Sequence, residues 1–132
     1  MPQQRPYTRT VFLVTSLLLF PTLVFAGEEG KASDETAAQV RQAIESYVKK
    51  DMALKESFLL RDPQTGQPMS LMFDQVHQGV EKVNGEYVAC VDFQREGKTY
   101  DVDFFVQPHG GQWEISRIRV HKVDGKALAP QE

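Results

Sequence analysis

The sequence contains a single cysteine, Cys90, among its 132 residues. Because a disulfide needs two cysteines, an intramolecular disulfide is excluded, and packing alone must stabilise the fold. A buried free cysteine behaves as a small apolar residue and is common in protein cores. We therefore expect Cys90 to be structural rather than a reactive nucleophile.

Long apolar runs are also scarce, and the only one lies near the N-terminus. The stretch from 11 to 26 is interrupted by Pro21 and is shorter than the roughly 20 apolar residues of a membrane-spanning helix. It follows Arg5 and Arg9 and ends in a V-x-A site at Ala26. This pattern predicts a cleaved secretory signal peptide over 1–26. We expect an exported protein, periplasmic or extracellular, with no membrane insertion after cleavage.

The sequence that remains after the predicted cleavage, 27–132, has no excess of basic charge. Loss of Arg5 and Arg9 with the signal lowers the formal net charge from −3 to −5. A mildly acidic surface argues against nucleic acid and against anionic membranes as partners. The length of 27–132 suits one domain, and the polar segments 27–33 and 126–132 are expected to be loose ends.

The spacing of apolar residues changes along this domain, from a helical pattern to a pattern typical of strands. Apolar residues at helical spacing predict a helix over 34–52. Beyond it, apolar runs separated by turn signals such as Asn84-Gly85 and Glu96-Gly97 predict strands. The predicted strands are 58–62, 69–77, 87–93, 100–106 and 113–123.

The resulting fold class is α+β, with one N-terminal helix packed on a four- to five-stranded antiparallel meander sheet. This layout resembles exported cystatin-like and NTF2-like domains. The hairpin Phe58 to Phe73, with Asp62, Thr65 and Gly66 in its turn, also resembles the D-x-x-T-G hairpin of PepSY-type domains. Members of these families bind proteins, inhibit proteases or serve as enzyme scaffolds. The Q-V-x-G motif of cystatin inhibitors is missing here, which puts protease inhibition in doubt.

Two-residue turns fix a strand register that can be checked. A turn at Asn84-Gly85 sets Val80 opposite Ala89, Gly79 opposite Cys90 and His77 opposite Asp92. A turn at Glu96-Gly97 sets Cys90 opposite Asp103 and Asp92 opposite Asp101. Since side chains alternate along a strand, one face is predicted to form the core. Its residues are Ala89, Val91, Phe93, Tyr100, Val102, Phe104 and Val106.

The opposite face gathers the polar residues that we regard as site candidates. They are His77, Cys90, Asp92, Asp101, Asp103, Arg117, Arg119 and His121. The face is open to three interpretations: a solvated face with ion pairs, a binding surface for a protein or small polar ligand, or a zinc or copper site formed by His77, Cys90 and Asp92. One conflict remains. Met69, Leu71 and Phe73 are apolar, but strict alternation along the strand places them on the same face as His77. Either a bulge separates Phe73 from His77, or this face is partly apolar.

Catalytic motifs are absent from the sequence. It has no C-x-x-C, no G-x-S-x-G and no phosphate-binding glycine motif. We therefore predict no catalytic residue and favour a non-enzymatic role, as an exported binding or interaction module of unknown ligand. The alternatives are a periplasmic zinc- or copper-binding protein and a small enzyme with a cavity between helix and sheet.

Overall fold

The computed structural model describes residues 29–129, so the predicted signal peptide lies outside the described residues. One helix and seven strands follow each other within residues 29–129. They are β1 (Gly30–Lys31), α1 (Asp34–Lys55), β2 (Phe58–Arg61), β3 (Pro68–Val83), β4 (Glu86–Arg95), β5 (Lys98–His109), β6 (Gln112–Val123) and β7 (Lys126–Ala127). Within residues 29–129, the helix is not apolar enough to cross a membrane.

The helix begins and ends where local chemistry favours it. The Ser33 hydroxyl accepts a hydrogen bond from the Thr36 backbone N–H at 3.2 Å, as an N-cap does. Glu56 ends the helix with a left-handed backbone, φ 64°. The helix runs three residues beyond the predicted end, and the side chains of Asp51 and Lys55 form an ion pair of 2.7 Å across its last turn. Its apolar stripe is buried against the sheet, through Ala37, Val40, Ile44 and Val48.

The helix packs on a curled antiparallel sheet, which confirms the α+β class. The strand order is β1-β3-β4-β5-β6-β7, and β2 pairs with the first part of β3. The predicted number of four to five strands is wrong, because the structure has seven. The two additional strands, β1 and β7, have two residues each, too few to leave a periodic signal in the sequence.

Both additional strands lie in the segments expected to be loose. Gly30–Lys31 pairs with β3, and Lys126–Ala127 pairs with β6. At the N-terminal side, the Ala32 N–H donates to the Val80 carbonyl at 2.9 Å, and Ala32 is buried. The Glu29 carboxylate accepts from the Asn84 N–H at 2.9 Å. These contacts hold the start of the described chain against the β3–β4 hairpin.

A continuous hydrophobic core fills the space between helix and sheet. Phe58 and Phe93 stack with ring centroids 5.0 Å apart, and Phe104 lies 5.9 Å from Phe58. All residues of the predicted core face of β4 and β5 pack here: Ala89, Val91, Phe93, Tyr100, Val102, Phe104 and Val106. The opposite face of the same strands is therefore free to carry polar groups.

The hairpin turns set the register as predicted for β4 and β5. Glu96 and Gly97 both have positive φ, 50° and 75°, as a two-residue hairpin turn of this kind requires. Cys90 lies opposite Asp103, and Asp92 lies opposite Asp101. Because no bulge interrupts this pair of strands, the alternation of faces continues from the turn to both aspartates.

Strand β3 breaks the predicted register by bulging. Val80 lies opposite Ala89 as predicted, but residues 73–80 of β3 stand opposite only residues 89–93 of β4. As a result Gln75, not His77, is the direct neighbour of Asp92. The bulges resolve the parity conflict, since Met69, Leu71 and Val80 are all buried in the core.

Strand β6 contains two further irregularities, next to Ser116 and His121. Its register shifts between the partners of Phe105 and Val106 and again between those of Asp101 and Val102. The second shift leaves His121 without a direct partner on β5. Both candidate histidines, His77 and His121, thus lie in irregular stretches of their strands, where a bulge can redirect a side chain.

Candidate functional site: the polar face of the sheet

Cys90, Asp103, Arg119 and His121 form one cluster on the face away from the helix. The Cys90 thiol donates to Asp103 Oδ1 at 3.0 Å, and an Arg119 guanidinium nitrogen lies 2.7 Å from Asp103 Oδ2. His121 Nδ1 lies 3.3 Å from Asp103 Oδ1, but it is buried without hydrogen-bond geometry. Asp103 is only 4% exposed, so this buried carboxylate is held by one cation and one thiol.

The thiol of Cys90 in this cluster has a raised pKa and is therefore a poor nucleophile. Burial, the hydrogen bond to Asp103 and the negative charge of that carboxylate raise the pKa of Cys90 to about 12. Thiolate is the nucleophilic form of cysteine, so Cys90 stays a thiol at neutral pH. This agrees with the structural role expected from the sequence.

His77, Asp92 and Asp101 form a second cluster beside the first. Asp92 Oδ2 lies 2.9 Å from His77 Nε2 and 3.0 Å from Gln75 Nε2. Asp92 is 9% exposed, and its Oδ1 is buried with no hydrogen-bond donor. The nearest lysine, Lys122, lies 4.0 Å from Asp101 Oδ2. Two carboxylates therefore share this site with little cationic compensation.

The pKa values of the two carboxyl groups in this cluster are shifted in opposite directions. Burial, the hydrogen bond to Asp92 and the charge of Asp92 raise the pKa of Asp101. Burial also acts to raise the pKa of Asp92, but hydrogen bonds from Asp101, Gln75 and His77 outweigh it and lower that pKa. Opposed shifts in neighbouring carboxyl groups are typical of a pair that resists double ionisation.

Arg117 stands apart from both clusters. Its guanidinium lies 3.7 Å from the centre of the Phe105 ring and 3.8 Å from Glu86. Arg117 lies opposite Phe105 on β5, whereas Arg119, two positions further along β6, lies opposite Asp103. Of these two arginines, Arg119 contacts an aspartate of the face and Arg117 contacts Glu86.

An open groove of about 450 Å³ lies on the same face. Its apolar part is formed by Val83, Val88 and Phe105, and its polar part by His77, Glu81, Cys90, Asp103, Arg119 and His121. Gly79 also lines it. Phe105 is 6% exposed although it points away from the helix, because the two arginine side chains lie over its ring. The groove thus combines an aromatic floor with ionisable groups.

The predicted ligand set of His77, Cys90 and Asp92 does not come together around one point. Among residues 29–129, the two groups with metal-ligand spacing are Cys90–Asp103–His121 and His77–Asp92–Asp101. Cys90 and Asp92 are two positions apart on β4, and each pairs with its own partner on β5. Successive same-face positions of a strand are separated by about 6.5 Å, so the three residues divide between the groups.

Sequence reasoning missed two contributors to this face, Gln75 and Phe105. Gln75 donates to Asp92 because the bulges in β3 shift the register, and the parity conflict of this strand did not give the position of a bulge. Phe105 follows Asp101 and Asp103 at every second position of β5, so the alternation of side chains places it on the polar face. Its neighbour Phe104 concealed that assignment, because a Phe-Phe pair suggests burial in one core.

Comparisons of this chain with protein-family models, with characterised proteins and with solved structures find no match.

Proposed function

We propose that this protein is an exported binding module whose ligand occupies the groove on the polar face of the sheet. The observation that carries the proposal is the composition of that groove. An apolar floor at Phe105 and Val88 is bordered by Arg119, His77 and His121. Small-molecule sites typically combine an apolar lining with a few placed polar groups. The suitable ligand is a small amphipathic molecule, or a side chain of a partner protein, with an anionic or hydrogen-bonding end.

The position of the site also supports binding over catalysis. The core is filled by large side chains such as Phe93, Phe104 and Ile44, whereas the groove opens to solvent at the sheet surface. The thiol of Cys90 has a pKa raised to about 12 by burial and by Asp103, which does not suit a nucleophile. A helix on a meander sheet is also what a cystatin-like or NTF2-like domain implies, and the binding role follows that resemblance.

A groove-filling substitution tests the proposal. A Cβ added at Gly79 meets no atom within 4 Å, so Gly79→Trp can enter the groove without displacing the backbone. Ser70→Trp, at an exposed position of the same strand, is the matched control. The probe is 8-anilinonaphthalene-1-sulfonate, which has an aromatic body and an anionic end.

Titration of this probe into 15N-labelled protein should shift the amide signals of Val88, Cys90 and Phe105. We expect Gly79→Trp to abolish these shifts and Ser70→Trp to retain them. Shifts confined to other surfaces, or equal shifts in both variants, contradict the proposal.

A further inference from the structure

The group His77–Asp92–Asp101 has the geometry of an ion site. One ligand atom from each residue can be chosen so that all three lie within 4.8 Å of one another. His77 Nε2 and Asp92 Oδ2 are 2.9 Å apart. Two ligands of one tetrahedral zinc ion, each bonded at about 2.0–2.2 Å, are separated by about 3.3–3.6 Å. Small side-chain rotations therefore bring the three donors around a common centre.

The same group has little positive charge to balance its two carboxylates, since the nearest lysine, Lys122, lies 4.0 Å from Asp101 Oδ2. Asp92 and Asp101 lie directly opposite each other, and like charges at such positions are unfavourable. Asp92 is 9% exposed, and its Oδ1 is buried without a hydrogen bond. Buried carboxylate oxygens are normally satisfied by a donor or a cation. This unpartnered oxygen is an observation independent of the spacing of the three residues, and it indicates a missing positive charge.

The neighbouring group Cys90–Asp103–His121 makes an instructive contrast. There, Arg119 contacts the buried carboxylate at 2.7 Å and the thiol donates to it at 3.0 Å. The charge of Asp103 is thus compensated within the protein. Of these two groups, the one around Asp92 combines three available ligands with a carboxylate pair whose nearest lysine, Lys122, is 4.0 Å away, although the two groups share one face.

We infer that His77, Asp92 and Asp101 form a binding site for a divalent transition-metal ion, with zinc as the expected ion. Imidazole nitrogen and carboxylate oxygen are regular zinc ligands. Three protein ligands leave a coordination position free for water or for a ligand, and the His77 side chain is 40% exposed, which gives the ion access from solvent. Gln75 would hold Asp92 in place from outside the ligand set. The inference rests on the proposed function, since it takes the polar face as the binding face.

Equilibrium dialysis and calorimetry with Zn²⁺ test the site directly. The full chain is used without a histidine tag, in a reduced state, after removal of metal with a chelator. We expect one tight Zn²⁺ per chain. His77→Gln and Asp101→Asn should each weaken binding at least about tenfold, a loss that even outer-shell partners of a metal commonly cause. Circular dichroism of each variant shows whether it is folded.

His109→Gln is the matched control, because it makes the same substitution at an exposed histidine at the end of β5, outside both groups. It should bind Zn²⁺ as the unmodified protein does. No stoichiometric binding by the unmodified protein overturns the inference. Weakening by His109→Gln equal to that by His77→Gln also overturns it, because the loss is then not specific to the group around Asp92.

Failure of the metal site and failure of the proposed groove give different results. Gly79→Trp should block the sulfonate probe and leave Zn²⁺ binding intact. Zn²⁺ binding through His77 without any probe binding supports the ion site and contradicts the groove. Probe binding without Zn²⁺ supports the groove and overturns the ion site.

Discussion

Asp92 and Asp101 stand directly opposite each other on β4 and β5, and their carboxyl groups share a hydrogen bond. Such a pair is stable when one group keeps its proton or when a cation lies between them. Burial, the hydrogen bond to Asp92 and the charge of Asp92 raise the pKa of Asp101, which favours the first solution. The lack of a donor for Asp92 Oδ1 leaves room for the second.

The first prediction concerns Asp101→Asn and the pH dependence of stability without metal. A carboxyl group with a pKa raised by folding contributes stability below its ordinary pKa of 3.8, and that contribution is lost as the pH rises through the folded-state value. The groups facing Asp101 are Asp92, His77 and Lys122. Asparagine at position 101 cannot ionise, so this loss of stability does not occur, and its side-chain amide can still donate a hydrogen bond to Asp92.

The free energy of unfolding of Asp101→Asn, relative to the unmodified protein, should therefore increase between acidic and neutral pH. The gain at neutral pH should be about 0.2–1 kcal/mol, the usual magnitude for a cross-strand pair. Urea unfolding at several pH values, with chelator present, measures it. Glu96→Gln in the exposed β4–β5 turn is the control and should show no such trend. A constant difference across the pH range contradicts the prediction.

The second prediction compares two arginines of β6. Arg119→Ala leaves Asp103 buried without its cation, and breaking a buried pair in this way typically destabilises by about 3–5 kcal/mol. Since the Arg119 side chain is itself 36% exposed, we expect a value near the lower end of that range. Arg117→Ala removes a more exposed side chain and should change the free energy of unfolding by less than about 1 kcal/mol. Equal effects in denaturant unfolding would show that Asp103 does not depend on Arg119.

The third prediction concerns the reactivity of Cys90. A thiol with a pKa of about 12, raised by burial and by Asp103, has far less thiolate at pH 8 than an ordinary cysteine. Alkylation by iodoacetamide should be about 100- to 1,000-fold slower in the native protein than in the unfolded chain. Mass spectrometry of timed samples, with and without denaturant, measures both rates. Comparable rates contradict the burial and the hydrogen bond described for Cys90.

The fourth prediction tests the core that supports the polar face. Phe93 is fully buried and stacks on Phe58, so Phe93→Ala should destabilise by about 3–5 kcal/mol. Met72, 53% exposed on the adjacent strand, provides the control. Met72→Ala should cost less than about 0.5 kcal/mol. A small loss for Phe93→Ala in denaturant unfolding contradicts the assigned faces of β4.

The sequence was sufficient to predict one helix, five of the strands and the pairing of β4 with β5. It succeeded there because Glu96-Gly97 forms a two-residue turn and no bulge follows, so alternation carries the assignment to Cys90, Asp92 and both facing aspartates. The conflict of parity between Phe73 and His77 left either a bulge or a partly apolar face as its explanation, and the structure has bulges in this stretch of β3.

The remaining parts of the site depended on irregularities that no local pattern encodes. Bulges in β3 bring Gln75 opposite Asp92. His77 is not opposite Asp92, but its Nε2 still lies 2.9 Å from Asp92 Oδ2. A shift in β6 leaves His121 without a direct partner on β5, and His121 Nδ1 lies 3.3 Å from Asp103 Oδ1. Since a bulge depends on the packing of the whole strand, the division of the polar face into two groups emerges only in the folded structure.

Native mass spectrometry of the protein recovered from the exported fraction tests the central claim, that the polar face is the functional surface. We predict a chain starting at Gly27 with a mass excess from a bound ion or small molecule. His77→Gln should reduce an excess that comes from an ion, Gly79→Trp should reduce an excess that comes from a small molecule, and the control Ser70→Trp should keep either one. A bare chain, or an excess unchanged by both substitutions, would contradict the account.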